Sequence, residues 1–404
     1  MTSYKEALQE SAAALAAQTP EMFSKSFTQT ELVNSGIETL SRFDQDMARL
    51  RKEAAVLVDG THGVDGGQKM ADLFNSWRDN PVSTPAIICF AAAHFGIPPE
   101  DRNLRAALMA GIAAEVQNDN PYHSNHHFRE VTATMARLCA TNNELATRGK
   151  NTVFLDTDNI AKCLLAAAGH DLMHDGKTNS LSGPESHVQY RLENKAIEAI
   201  EPFMKIAGMN GRDREDVRVM IRITDISAKP GTPSPHKHLK EAVQAVQTHL
   251  DIPSELLQEP LAETLATDTG GKAHSSFMTP RADKPEQVKL PPELADLASS
   301  PQLLTMAALM SDADLGPSTA TNFEYSRRMT TLLSQENPAL ADSNKTLDGF
   351  LTFVVGGALT SQAGRNASGA TLQSIMQGAK QPDPPKKQPA AAAPQKTAQA
   401  PVLK

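Results

Sequence analysis

Two short segments concentrate the residues that could do chemistry: Tyr122-His123-Ser124-Asn125-His126-His127 and His170-Asp171-Leu172-Met173-His174-Asp175-Gly176. With Asp314 further along, they bring imidazoles and carboxylates together in the kinds and spacings that a two-metal phosphoester hydrolase needs. A carboxylate has two oxygens and can bridge two ions, whereas a neutral imidazole gives each ion one nitrogen. A His-Asp pair therefore suits a mixed or dinuclear site. No convincing Ser or Cys triad is present, and hydrolysis by bound metal requires none.

These side chains need elements to place them. His123 and His127 are four residues apart, which on a helix puts them on one face with Cβ atoms about 6 Å apart. One can then bind metal while the other stays free beside it. Pro121 suits the first turn of such a helix. His126 would project about 100° away from His127, and the spacing from His123 favours His127 as the ligand. For the second segment, Thr157-Asp158 reads as a capping pair, and the apolar run from Ile160 to Gly169 reads as a buried helix. It delivers His170, Asp171 and His174 at its C-terminal end, just before Gly176. A charge at the end of a buried helix is costly alone, and divalent cations would offset that cost. The remaining histidines stand outside any such frame.

The rest of the chain reads as all-α. Apolar residues at three- and four-residue intervals recur in segments from Leu104–Val116 to Thr346–Leu359, and alternating strand-like runs are scarce. Of the 404 residues 40% are hydrophobic but only 4% aromatic, which suits a core of aliphatic side chains between helices. Residues 1–80 read as a helical N-terminal extension, 81–376 as a multi-helix catalytic domain, and 377–404, rich in Pro, Ala, Gln and Lys, as a disordered tail. Ala228–His236 and Thr267–Pro292 read as surface loops. A net charge of −8 gives no general attraction to nucleic acid. The apolar stretches are too short to span a bilayer and no signal peptide is evident, so the expectation is a cytoplasmic protein without membrane insertion. The basic tail is also compatible with a secreted effector. Cys89, Cys139 and Cys163, each in an apolar run, are expected to be buried free thiols.

Against that reading, the sequence resembles the catalytic domain of class I cyclic nucleotide phosphodiesterases, a branch of the HD-domain metal-dependent phosphohydrolases. The family pattern Y-H-N-x-x-H-x-x-D-V is met by Tyr122, His123, His127 and Val131, with Ser124 for Asn and Glu130 for Asp. Its H-D-x-x-H-x-G-x-x-N is met in full by His170, Asp171, His174, Gly176 and Asn179. Leu192-Glu193-Asn194 resembles L-E-N, with Glu185 a competitor for Glu193. Thr224-Asp225-Ile226-Ser227 resembles T-D-x-S, Ala313-Asp314-Leu315-Gly316-Pro317 resembles A-D-L-S-x-P, and Gly349 to Val354 resembles G-F-x-x-[FY]-[IV]. Six islands in order cover roughly residues 115 to 360.

The resemblance implies an all-helical domain with two divalent ions. The first, usually zinc, would be held by His127, His170, Asp171 and Asp314. The second, usually magnesium or manganese, would share Asp171, and His174, Asn179 and Glu193 would order its water. A hydroxide between the ions would attack a 3′,5′-cyclic nucleotide, and His123 would protonate the leaving 3′ oxygen to give the 5′-monophosphate. Tyr122 and Phe350 would contact the substrate. Leu347 stands where the family has a base-reading Gln, with Asn322 or Gln335 as replacements, so discrimination between adenine and guanine is expected to be weak. Two alternatives stay open: an HD-type hydrolase of another nucleotide or phosphoester, and a metal-bound binding protein of little turnover.

Overall fold

The computed structural model describes residues 3–23, 26–58, 60, 62–150, 152–180, 186–228, 231–249 and 290–383. Among them the regular structure is helical, with no strand beyond an isolated antiparallel bridge between Ser180 and His187. The fold is all-α. None of the described helices is long and apolar enough to cross a membrane. The loop expected at Thr267–Pro292 lies outside the described residues up to 289, as do residues 384–404 of the expected tail.

Capping residues explain where many of the helices begin. Ser3 and Thr28 open α1 (Tyr4–Ala16) and α2 (Gln29–Leu57) with reciprocal capping boxes, each such cap being worth about 1 kcal/mol. α3 (Gly63–Asp79), α4 (Thr84–Phe95), α5 (Arg102–Ala114) and α6 (Asn125–Thr147) follow. α7 (Thr157–Gly169) is capped by Asp156, one residue before the expected pair, whose carboxylate accepts from Asn159 N. After it come α8 (Arg191–Ile206), α9 (Gly211–Arg222), α10 (Pro235–His249), α11 (Pro301–Asp314), α12 (Gly316–Thr319) and α13 (Phe323–Glu336). α14 (Asn344–Gly349) runs into a π-helix over Phe350–Val354, and α15 (Gln362–Ala379) ends the fold. It extends past residue 377, where the tail was expected to begin.

α7 is the axis of the core. Ile160, Ala161 and Cys163 to Gly169 are buried, packed against α5, α6, α9 and α11. Lys162 sits in this apolar run, and its ammonium lies 2.9 Å from Asp216, 3.3 Å from Asp158 and 3.6 Å from Asp213. Asp213 and Asp216 tie α7 to α9, and the three carboxylates together make the buried charge tolerable. The three thiols are buried and free.

α1 to α3 share this core. Leu8, Leu15, Leu32, Leu50, Phe74 and Trp77 belong to one hydrophobic cluster with Val131, Leu164 and Met310. α3 lies especially close to the C-terminal helices. A Cβ at Gly67 would sit 2.3 Å from the Thr321 carbonyl and 2.5 Å from Thr371 Cγ2, so only glycine permits the approach.

Candidate metal centre

α6 begins at Asn125, with Ser124 as its cap. His123 and Pro121 therefore precede the helix, which corrects the expectation that His123 and His127 share a helical face. A loop of asparagines sets this entry: Asn125 donates to Ala114 O and Val116 O (2.6 and 2.7 Å), and Asn118 donates to His123 O (2.6 Å). His123 and His127 still converge, with ring centroids 5.7 Å apart. His127 is inside the helix and buried. His126 turns the other way, its Nε2 2.9 Å from Glu130 Oε1.

α7 ends at Gly169, and His170 is its C-cap. Its Nδ1 lies 3.0 Å from Ala167 O. A carbonyl can only accept, so Nδ1 carries a proton, and in the neutral ring the lone pair is on Nε2. That Nε2 is 3.1 Å from Asp171 Oδ2 and 3.2 Å from Asp314 Oδ1. His127 Nε2 is 3.4 and 3.5 Å from the same two oxygens. Neither Nε2 is aligned in a hydrogen bond, although both are buried.

Four ligand atoms, from His127, His170, Asp171 and Asp314, thus lie within 4.8 Å of one another. Tetrahedral zinc with bonds of about 2.0–2.1 Å puts its ligands about 3.3 Å apart. Two imidazole lone pairs and two carboxylates at these separations fit such an ion. The carboxylates keep 14% and 18% side-chain exposure against 1% for the imidazoles, so the cluster opens to solvent on its acidic side. Gly316, two residues after Asp314, stands where the resembled pattern has a serine, and close packing accounts for the glycine. A Cβ there would meet Thr134 Cγ2 of α6 at 2.7 Å.

A second group stands next to the first: His123, His174 and Glu336. The rings of His123 and His174 stack with centroids 3.6 Å apart. Glu336 bonds the Nδ1 of His123 and also accepts from the backbone N–H of Tyr122 (3.0 Å) and His123 (3.1 Å). His123 Nε2 points the other way, 3.8 Å from Asp171 Oδ2. Sequence reasoning passed over Glu336, which lies 213 residues from His123. Tyr122 packs its ring against His123 and His127 at 4.7 and 5.1 Å.

Asn179 and Glu193 form a pair of their own, Asn179 Nδ2 donating to Glu193 at 3.1 Å while its Oδ1 accepts from Leu192 N at 3.0 Å. Glu185 lies outside the described residues. Leu347 is fully buried in a small apolar cluster with Leu315, Leu351, Val355 and Leu372, and Phe350 is half-buried on its flank. Asn322 caps α13 through Tyr325 N and donates to Gln68, so its amide is committed.

Charge and burial oppose each other here. Without a cation, burial penalises charge on His127, but Asp171 and Asp314 outweigh it and raise the imidazole to about 9. Asp314 is disfavoured by burial and held down at about 2 by His127 and His170. Burial, then Asp225, pushes Glu193 up to about 8. Burial and His123 lower His174 to about 4. Glu336, despite burial, is held at about 2 by His123.

The sign of the pH effect follows. An imidazole raised on folding stabilises the folded chain below 6.5, its ordinary value, and that contribution is lost as pH rises through about 9. For His127 it amounts to about 3 kcal/mol. Glu193 acts in the same direction, its contribution being lost as pH rises from its unfolded value through about 8. Chelator-treated protein is expected to melt at a lower temperature at pH 9 than at pH 6.5, and zinc-loaded protein, in which the ion would replace the proton on His127, to lose less. Calorimetry of both forms checks this, and equal pH slopes would contradict it.

No family model and no curated protein matches the chain. Solved structures similar to it include a phosphodiesterase domain and a protein bound to IBMX. One is the phosphodiesterase domain of the RhoPDE fusion protein from the choanoflagellate Salpingoeca rosetta, at 16% identity and a TM-score of 0.42, covering 77% of this chain and 90% of that one. Another is LmjPDEB1 in complex with IBMX, at 15% identity and a TM-score of 0.46, covering 81% and 96%. At this identity and TM-score, the chemistry has to be read from the side chains themselves.

Proposed function

We propose that the chain is a metal-dependent phosphodiesterase whose substrate is a 3′,5′-cyclic nucleotide, hydrolysed to the 5′-monophosphate, with residues 81–376 as the catalytic unit. The observation that supports this most is the convergence of two buried imidazole nitrogens lacking hydrogen-bond partners with two carboxylates, beside a third imidazole held by Glu336. His127, His170, Asp171 and Asp314 would hold a zinc ion. Asp171 would be shared with magnesium or manganese, with His174, Asn179 and Glu193 in its surroundings. Such ions, when bound, neutralise charge on the phosphoryl oxygens and supply a nucleophile at neutral pH.

The chain's own residues do the positioning and the proton transfer. Glu336 engages Nδ1 of His123, which leaves Nε2 facing the cluster, where it can protonate the 3′ oxygen as the bond from phosphorus breaks. His174, stacked on His123 and neutral above about pH 4, limits the tilt of that ring without adding positive charge. Tyr122 walls the same side, and Phe350 offers an apolar face to a base. A protein that only bound metal would have no use for a leaving-group acid held in this way.

A second reading, hydrolysis of another nucleotide or phosphoester by the same residues, is favoured by one observation. Leu347 belongs to the core and Asn322 is committed elsewhere, so neither reads a purine edge. The expected result is hydrolysis of cyclic AMP and cyclic GMP with kcat/KM values within about a hundredfold of each other, or roughly 2.7 kcal/mol. Both should exceed an aryl phosphodiester. Steady-state kinetics on the three substrates checks this; turnover of the aryl ester alone would favour the second reading. Leu347→Gln, which buries an amide, is expected to destabilise the protein rather than sharpen selectivity.

A further inference from the structure

We infer that Glu130 is a positioning residue for His127 and that Arg78, at the end of α3, holds Glu130 in place, so that the N-terminal helices complete the metal centre. This rests on the proposed role of His127 as a metal ligand. Glu130 lies three residues after His127 on α6, and both side chains are buried. The two oxygens of Glu130 have different surroundings. Oε1 receives the Tyr325 hydroxyl, His126 Nε2 at 2.9 Å and Arg78 Nη2 at 3.3 Å. Arg78 also donates to the Tyr325 hydroxyl at 3.1 Å, and its guanidinium lies 5.5 Å from the centre of the Tyr325 ring.

Oε2 has no hydrogen-bond partner, and neither has His127 Nδ1, which faces it at 3.9 Å. A buried polar atom left unpaired keeps the cost of its lost hydration. One proton resolves both. When His127 gives its Nε2 lone pair to a cation, the ring's remaining proton sits on Nδ1 and can be donated to Oε2 after a shift of about 1 Å, the distance by which the gap exceeds a normal hydrogen bond. A carboxylate behind a ligating imidazole fixes its tautomer and raises its basicity. The three donors on Oε1 leave Oε2 as the oxygen turned to His127, and Arg78 is the one that comes from α3.

A purely structural ion pair would affect folding and leave metal affinity alone. The test is the zinc dissociation constant of chelator-treated full-length protein, measured by chelator competition. Glu130→Gln is expected to weaken zinc binding by about 10- to 100-fold. Arg78→Gln should weaken it by a smaller factor, and Arg78→Lys should recover most of that loss. If Glu130→Gln does not fold, the two Arg78 variants decide. Wild-type protein that binds zinc, with folded variants binding it equally well, overturns the inference and spares the metal assignment. Wild-type protein that binds no zinc at these residues overturns both.

Discussion

Asp171→Ala is expected to abolish metal-dependent hydrolysis, with a fall of at least about 10³-fold, because Lewis-acid stabilisation at phosphorus is worth several kcal/mol. The reason is positional. Asp171 Oδ2 lies 3.1 Å from His170 Nε2, 3.4 Å from His127 Nε2 and 3.8 Å from His123 Nε2, so it is the carboxylate common to both imidazole groups. On the proposed assignment, its removal would take a ligand from the first ion and the shared ligand from the second. Asp171→Asn, which keeps the shape and loses the charge, should fall in the same direction. Metal analysis of purified protein alongside turnover checks both variants. Two retained ions with undiminished hydrolysis in Asp171→Ala would show that the site has been placed wrongly.

His123→Ala is expected to keep the first ion and to slow cleavage by about 10²–10⁴-fold, the usual worth of a positioned general acid. His123 stands outside the four-residue cluster, with Nδ1 taken by Glu336, so metal content should hold. The loss should be larger for a cyclic nucleotide, whose alkoxide leaves poorly, than for an activated aryl ester, whose leaving group needs no proton. Glu336→Gln, which weakens the hold on Nδ1, should lower the rate by a smaller factor with the same leaving-group dependence. Equal losses on both substrates, or loss of the first ion in His123→Ala, would contradict the acid role.

The helical class of the fold and the His170-Asp171 part of the cluster were legible in the residues because both are written locally, whereas the joining of His127 and Asp314 to them came from the resemblance. α7 is an apolar run of helical period ending in His170-Asp171, and burial of that run forces the polar pair to find a use. Less legible was the entry to α6. Pro121 and the His123–His127 spacing imitate an earlier helix start, whereas the loop is set by Asn118 and Asn125 bonding across it. Glu336 and Arg78 were out of reach for another reason. Each acts across a large separation, 213 residues to His123 and 52 to Glu130, and neither sits in a pattern that points to its partner. Leu347 carried a readable signal that went unused. Leu347, Leu351, Val355 and Leu359 recur every fourth residue, a spacing that marks a core face and that the structure buries. The early helices give the same lesson, since the glycines from 60 to 67 read as a break between helices, whereas Gly67 lies inside α3 and lets that helix approach the Thr321 backbone.

The central claim is that His127, His170, Asp171 and Asp314 together hold a metal ion. Anomalous diffraction at the zinc edge from crystals of zinc-loaded wild-type protein tests it most directly. The expected result is a strong peak about 2.0–2.2 Å from a nitrogen or oxygen of all four side chains. A peak bound instead by His123, His174 and Glu336, or no ordered zinc at either group in protein shown to contain it, would contradict the claim.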